Sequence, residues 1–331
     1  MAATSPGTGS RLAILGVGAV GRSVAELASE YGHEVVALSD SRGAAIDEDG
    51  LDVADALAEK DASGVVGPAD PADALAADYD VLVEATPTTL GDAEPGFSHV
   101  RTALERDRNV VLANKGPVAE RFGDVQALAD DSAGSVRFEA TVAGAIPAIS
   151  TIEDVDPAHV TAVRGVLNGT ANFILTRMAA EGLGYDHVLA EAQDMGVAEA
   201  DPSFDVEGTD AALKCVILAN VLSFGSAEDP SDAREFSLAD ATVDGIRDIP
   251  GNALELAADD GRTIRLIGEA NRDRVRVGPR LVSEGATLAV PGTQNIVQLE
   301  TTHADRLNLS GRGAGGPETA SAVLGDVGRL S

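Results

Sequence analysis

Five carboxylates and a lysine crowd the stretch from Gly196 to Asn220: Glu199, Asp201, Asp205, Glu207 and Asp210 precede Lys214. A proton relay needs a group that can hold and release a proton, and a charged neighbour that fixes it. An aspartate four residues before a lysine, sharing a helix face, supplies that arrangement. Pro202 and Gly208 mark irregular backbone before a helix expected to start near Thr209. Lys214 is followed by Cys-Val-Ile-Leu-Ala, apolar on every side, so the helix is expected to be buried. A lysine there loses solvent, and Asp210 is placed to hold it. The same spacing equally describes a helix ion pair worth ~0.2–0.5 kcal/mol when exposed. The acidic cluster equally describes solvated surface.

A second chemical signal stands near the start. Arg11–Leu15 reads as a buried strand, Gly16-Val-Gly18-Ala-Val-Gly21 follows, then a helical pattern from Arg22 to Tyr31 and a strand from Val35 to Asp40. Asp40 comes 19 positions after Gly21. Strand, G-x-G-x-x-G, helix, strand and acidic residue are the parts of a dinucleotide-binding fold, in which glycines let a pyrophosphate approach a helix N-terminus. Asp40 suits the ribose 2′-OH of NAD, whereas Ser41 and Arg42 suit the 2′-phosphate of NADP. Both cofactors remain open on these residues.

These parts must be positioned by a sheet. Residues 44–79 read as an acidic, partly helical crossover. Tyr79–Ala85 is the next expected strand, ending at Thr86, and His99–Arg106 a helix. Asn109–Ala113 is expected as a strand with Asn114-Lys115 at its C-terminal end, the edge where ligands bind in such sheets. Val136–Val142 reads as a strand leading into Ala143–Pro147, a turn whose single carboxylate, Glu139, and free carbonyls suit a hard cation. Further on, Val160–Leu167 reads as a strand, Asn168–Asn172 as a turn, and Phe173–Glu181 and Asp186–Met195 as helices. Arg262–Ala270, Val275–Val282, Thr287–Val290 and Asn295–Leu299 alternate or run apolar, as antiparallel strands do. Gly311–Gly316 reads as a glycine-rich turn feeding a final helix with Pro317 at its first position.

Composition narrows the partners. The 331 residues carry 54 acidic and 24 basic side chains, a formal net charge of −30 that repels nucleic acid and anionic membrane alike. The apolar periodic segments argue against disorder, so adaptation to concentrated salt, which screens self-repulsion, is the better reading. Lysine is reduced to Lys60, Lys115 and Lys214, which makes each survivor a candidate for a task. No apolar run is long enough to span a membrane. One cysteine excludes an internal disulfide and fits a reducing cytoplasm. The five histidines have no zinc-ligand spacing.

With these motifs assembled, the chain resembles the homoserine dehydrogenase family. The resemblance runs over nearly the whole chain after residue 10. It is carried by Gly16–Gly21, Val111–Lys115, Glu139–Pro147, Gly165–Asn172, Gly196–Lys214 and Gly311–Gly315 with Thr319-Ala320. It implies interconversion of L-homoserine and L-aspartate 4-semialdehyde with NADP or NAD, on the route to threonine, methionine and isoleucine. By position it implies that Lys214 is the proton donor and acceptor, that Asp210 orients it, and that Lys115 lies between nicotinamide and substrate. Glu199 and Asp205 would hold the substrate's amino end. Gly16, Gly18, Ala19, Val20, Gly21, Asp40, Ser41, Arg42, Thr86, Lys115, Gly196 and Gly315 would line the cofactor. Glu139 with the carbonyls of Val142, Gly144 and Ile146 would hold a monovalent cation, sodium or potassium. A homodimer in the cytoplasm is also implied. Val197 stands where family members often carry an aromatic residue, and the chain ends at Ser331 without room for an ACT-type regulatory domain, so threonine feedback through one is not expected.

The expected fold class is α/β: a Rossmann-type domain over residues 11–148, rejoined by the C-terminal helix 317–331, plus an α+β catalytic and dimerisation domain over 149–310. Residues 1–10, small and polar, are expected to be flexible. Three other readings bear on the same residues. A different semialdehyde or sugar oxidoreductase would share the fold. An acylating aldehyde dehydrogenase would need Cys215 as nucleophile, though an apolar helix suits it to a core. A nucleotide-sensing protein would keep the glycine loop but have no use for Lys115 and Lys214.

Overall fold

The glycine loop leads from a buried strand of a mostly parallel sheet into a helix. The computed structural model describes residues 9–330; of the stretch expected to be flexible, residues 1–8 lie outside the described residues. The chain folds as two units, one running to Thr141 and resuming at Gly315, the other Val142–Ala314.

In the first unit, Arg11–Leu15 (β1), Glu34–Ser39 (β2), Ala44–Ile46 (β3), Val81–Glu84 (β4), Asn109–Leu112 (β5) and Val136–Arg137 (β6) form one sheet, ordered β3-β2-β1-β4-β5-β6. Every pairing is parallel except β2 with β3. β1, β2 and β4 are nearly continuous apolar runs because helices cover a parallel sheet on both faces. Leu12, Ile14, Val24, Leu38, Val83 and Val111 make the core. The C-terminal helix Gly316–Arg329 adds Val323 and Val327 to it, beside the helix Ala19–Leu27. The sheet order reverses between β1 and β4, the switch point where open α/β sheets bind ligands.

In the second unit, Val160–Val166 (β7), Ala241–Val243 (β8), Arg262–Ala270 (β9), Val275–Ser283 (β10), Gln294–Thr301 (β11) and Arg306–Arg312 (β12) form a sheet ordered β12-β11-β7-β9-β10-β8. Its pairings are antiparallel except β8 with β10. The helix Thr209–Ser226 packs on β9 and β10, and every residue from Asp210 to Ser223 is buried. That is the burial its all-round apolar surface calls for.

Four expectations need correction. The strand expected over Val136–Val142 is only β6. Beyond it the backbone turns at Glu139–Thr141, where the Thr141 N–H and hydroxyl both donate to the Phe138 carbonyl. Thr287–Val290 forms turns instead of a strand, and the Val290 carbonyl accepts from the side-chain donors Asn172 Nδ2 and Arg265 Nε rather than from a strand's backbone. Gly311 and Arg312 close β12 rather than belonging to a turn. The helix expected from Phe173 begins at Gly169, because the Asn168 side chain accepts the Ala171 N–H as an N-cap. β3, β8, β12 and the helix Gly251–Asp259 were not anticipated; the strands β3 and β8 have only three residues each, too few to display a period.

Candidate functional site

In the first unit a cavity of about 920 Å³ opens at the C-terminal ends of β1, β2 and β4. It brings together Gly16, Gly18, Ala19, Val20, Asp40, Ser41, Arg42 and Thr86. The three glycines of the loop do different things. Gly16 has φ +94°, and a Cβ there would lie 2.4 Å from the Ala85 carbonyl oxygen, so only glycine fits the turn. A Cβ at Gly21 would lie 1.8 Å from the Gly16 oxygen, so the helix can approach the strand only with glycine there. A Cβ at Gly18 would meet nothing within 4 Å. Gly18 therefore leaves open space at the helix N-terminus, where a pyrophosphate can approach bare backbone N–H groups.

Asp40 is already engaged. Its carboxylate accepts from the Lys60 ammonium and from the backbone N–H groups of Arg42 (2.8 Å) and Gly43 (3.2 Å). Burial pushes its carboxyl up, but Lys60 and the two N–H donors pull it below the usual range. Lys60, on the helix Val53–Ser63, lines the cavity beside Arg42. Reasoning from sequence left Lys60 without a role, although the scarcity of lysine was the signal that could have found it.

At the β4 end, Glu84 is fully buried. One carboxylate oxygen accepts the Thr86 N–H (3.0 Å), the Thr86 hydroxyl and Asn114 Nδ2 (3.3 Å), and the other meets His99 Nδ1 at 2.6 Å. Asn114 Oδ1 in turn accepts the Gly116 N–H (2.9 Å), which fixes the turn carrying Lys115. Lys115 caps the short helix Gly116–Glu120, and Gly315 caps Gly316–Arg329. Neither borders the cavity, and Gly21 lies buried behind it. Glu84 and His99 carried no motif of their own and were missed.

In the second unit Lys214 Nζ donates to Asp210 Oδ2 and to the Leu167 carbonyl, each at 2.7 Å. The two side chains are each 9% exposed. Asn168 Nδ2 donates to both Asp205 Oδ1 (2.6 Å) and Asp210 Oδ2 (2.9 Å), so one amide separates two carboxylates. Burial pushes the Asp205 carboxyl above the usual range, and the Asp210 charge adds to this. The bonds from Asn168 and Thr170 and the Lys214 charge oppose it. Asn168 was noted only as part of a turn; its place directly after a strand and before a helix was the available signal. Glu199 is exposed, on a turn tied by Gln193 Nε2 to its carbonyl (3.0 Å), and Gly196 is an exposed left-handed turn residue (φ +68°). Asp201 and Glu207 are exposed, Glu207 paired with Arg247. Cys215 is buried and its thiol is pushed up to about 12 by desolvation, which suits packing and not nucleophilic attack.

Glu139 is buried in the first unit, its N–H held by Asp326 Oδ2 at 2.8 Å. Val142, Gly144 and Ile146 belong to the second unit, in a turn where Ala143 and Gly144 both have φ +57°. Among the described residues no group of three or more His, Cys, Asp or Glu side chains is arranged to hold a metal ion. No helix among them is long and apolar enough to cross a membrane.

The family model described as homoserine dehydrogenase matches residues 147–327. A second, described as glutamate/leucine/phenylalanine/valine dehydrogenase, matches residues 2–88. A homoserine dehydrogenase of Methanocaldococcus jannaschii is 38% identical over 332 residues, 95% of this chain and 96% of its own. Among solved structures, a putative homoserine dehydrogenase from Archaeoglobus fulgidus has a TM-score of 0.86 at 37% identity, covering 97% of this chain and 99% of that one. A hyperthermophilic archaeal homoserine dehydrogenase in complex with NADPH has a TM-score of 0.80 at 27% identity, covering 97% of both.

Proposed function

The chain belongs to the homoserine dehydrogenase family, and from that premise we propose how its residues carry the NAD(P)-dependent interconversion of L-homoserine and L-aspartate 4-semialdehyde. One observation carries the reading. An ammonium has three N–H bonds, and Lys214 commits two of them, to Asp210 and Leu167. The third is left for a substrate oxygen. In the direction of reduction Lys214 gives its proton to the oxygen of the semialdehyde as the carbonyl becomes a hydroxyl; in oxidation it takes that proton back. Asp210 holds Nζ in place and balances its charge. Asp205, with Glu199 from the neighbouring turn, takes the substrate's ammonium group.

The nicotinamide supplies the hydride. The residues of the first unit fit such a dinucleotide: Gly18 leaves room at the helix N-terminus, and Thr86 stands at the switch point. Lys115 would meet nicotinamide and substrate. At the ribose end, Lys60 and Arg42 bring two positive charges against the one of Asp40, whose lone pairs are largely used. That balance favours a 2′-phosphate, and we read the preferred cofactor as NADP(H), the form bound in the archaeal relative.

Glu139 and the carbonyls of Val142, Gly144 and Ile146 follow one another closely in the chain, and one carboxylate with neutral carbonyls suits sodium or potassium. The net charge of −30 supports a working medium of concentrated salt. A homodimer in the cytoplasm completes the reading, with the antiparallel sheet of the second unit as its surface. The test is NAD(P)H absorbance with L-homoserine and each cofactor, at high and low potassium chloride. Homoserine-dependent reduction, faster with NADP and in high salt, is expected. No homoserine-dependent signal under any condition would sink the assignment.

A further inference from the structure

Glu84 raises an accounting problem. A carboxylate taken fully out of water must be matched by donors. Here the donors are the Thr86 N–H and hydroxyl, Asn114 Nδ2 and His99 Nδ1, with no lysine or arginine among them. A carboxylate offers only lone pairs, so His99 Nδ1 carries a proton and donates to Glu84. Nε2 is then the ring's remaining functional atom. Among the described residues no hydrogen bond reaches it, yet the side chain is 20% exposed and lines the same cavity as Gly18 and Thr86. A histidine that served only to satisfy Glu84 would have no reason to border the cleft. Thr86 borders it too, and its hydroxyl is held by the same carboxylate. One buried acid therefore orients two groups toward one space.

We propose that His99 is a cofactor-contacting residue, held at Nδ1 by the buried carboxylate of Glu84 so that Nε2 meets a hydrogen-bonding group of the bound nicotinamide dinucleotide. Glu84 is the positioning residue for both His99 and Thr86. The proposal rests on the reading that the first unit's cleft takes that cofactor.

His99→Asn separates contact from structure. The asparagine amide can occupy the place of Nδ1 and keep an N–H on Glu84, while Nε2 is removed. Titration of NADPH fluorescence on the full chain comes first with the wild type. Binding there and an unchanged thermal midpoint in His99→Asn, with a Kd for NADPH about tenfold weaker and an unchanged KM for homoserine, is the expected result. A folded His99→Asn variant with the wild-type Kd overturns the role of His99 and leaves the cofactor reading standing; a wild type that binds neither NADPH nor NADH overturns both. If His99→Asn does not fold, wild-type protein labelled with 15N-histidine replaces it, the five histidines being distinguished by substituting the other four in turn. Saturating NADPH should then move the His99 Nε2 resonance, and an unmoved resonance overturns the proposal.

Discussion

Each unit holds a buried or half-buried lysine–aspartate pair, and the two are built differently. Lys214 and Asp210 are neighbours on one helix turn, where the Leu167 carbonyl meets the lysine and Asn168 the aspartate. Lys60 and Asp40 come from a helix and the end of β2, 20 residues apart, and meet only because the sheet brings them to one rim. In the first pair two of the three ammonium N–H bonds have partners among the described residues, inside a buried site, the arrangement the proposed proton carrier needs. The second stands at the edge of a cleft, 20% and 11% exposed, the arrangement of a charge that greets a ligand. Under the proposed function the same two residue types serve chemistry in one place and recognition in the other, and burial and partner count mark the difference.

The strongest way to break that comparison is Lys214→Ala. Turnover should fall by about 10²–10⁴, with the Kd for NADPH unchanged; stopped turnover with lost cofactor binding would instead make Lys214 a recognition residue like Lys60. Asp205→Asn comes next. The KM for homoserine should rise about 10- to 100-fold, the range for a hydrogen bond to a charged group. The folded protein raises this carboxyl, so its protonated form favours the fold; that contribution is full below about pH 4 and is lost as pH rises through the folded value. Asp205→Asn, which cannot ionise, should therefore gain thermal stability relative to wild type as pH rises from acid to neutral. Scanning calorimetry across that window checks the sign. A gap that shrinks with rising pH contradicts it.

Lys60→Ala should weaken NADPH about tenfold while NADH changes little, one charge-assisted bond being at stake. Equal losses for both cofactors would place Lys60 away from the 2′-phosphate. The smallest effect belongs to Asn168→Ala. Loss of its N-cap should cost about 1 kcal/mol, read by urea unfolding. Because the same side chain separates Asp205 and Asp210, adding Asp205→Asn to Asn168→Ala should return part of that stability. Simple additivity of the two substitutions would remove the amide from the account of the site.

Much of this was legible locally. The helix begins at Thr209 as Gly208 announced, and the glycine loop, β1 and β2 fall where their spacing put them. These features are set by neighbours in the chain: a positive φ, an apolar run, a four-residue repeat. What was lost depended on distant partners. The strand expected over Val136–Val142 breaks where Asp326, 187 residues on, takes the Glu139 N–H. Thr287–Val290 gives its last carbonyl, that of Val290, to the distant side chains of Asn172 and Arg265. Lys60 and His99 gave no periodic signal, because what makes them notable is a cleft wall assembled from separate crossovers.

The sequence by itself determined that Lys214 would be buried beside Asp210 and that a glycine loop would open a dinucleotide fold, since both follow from spacing within one turn or one strand–helix unit. Only the tertiary structure decided that two of the three Lys214 N–H bonds are spent, that Asn168 stands between two carboxylates, and that Glu84 gathers Thr86, Asn114 and His99. A side chain's hydrogen bonds are shared out among groups that the chain brings together from far apart, and spacing carries no record of that sharing.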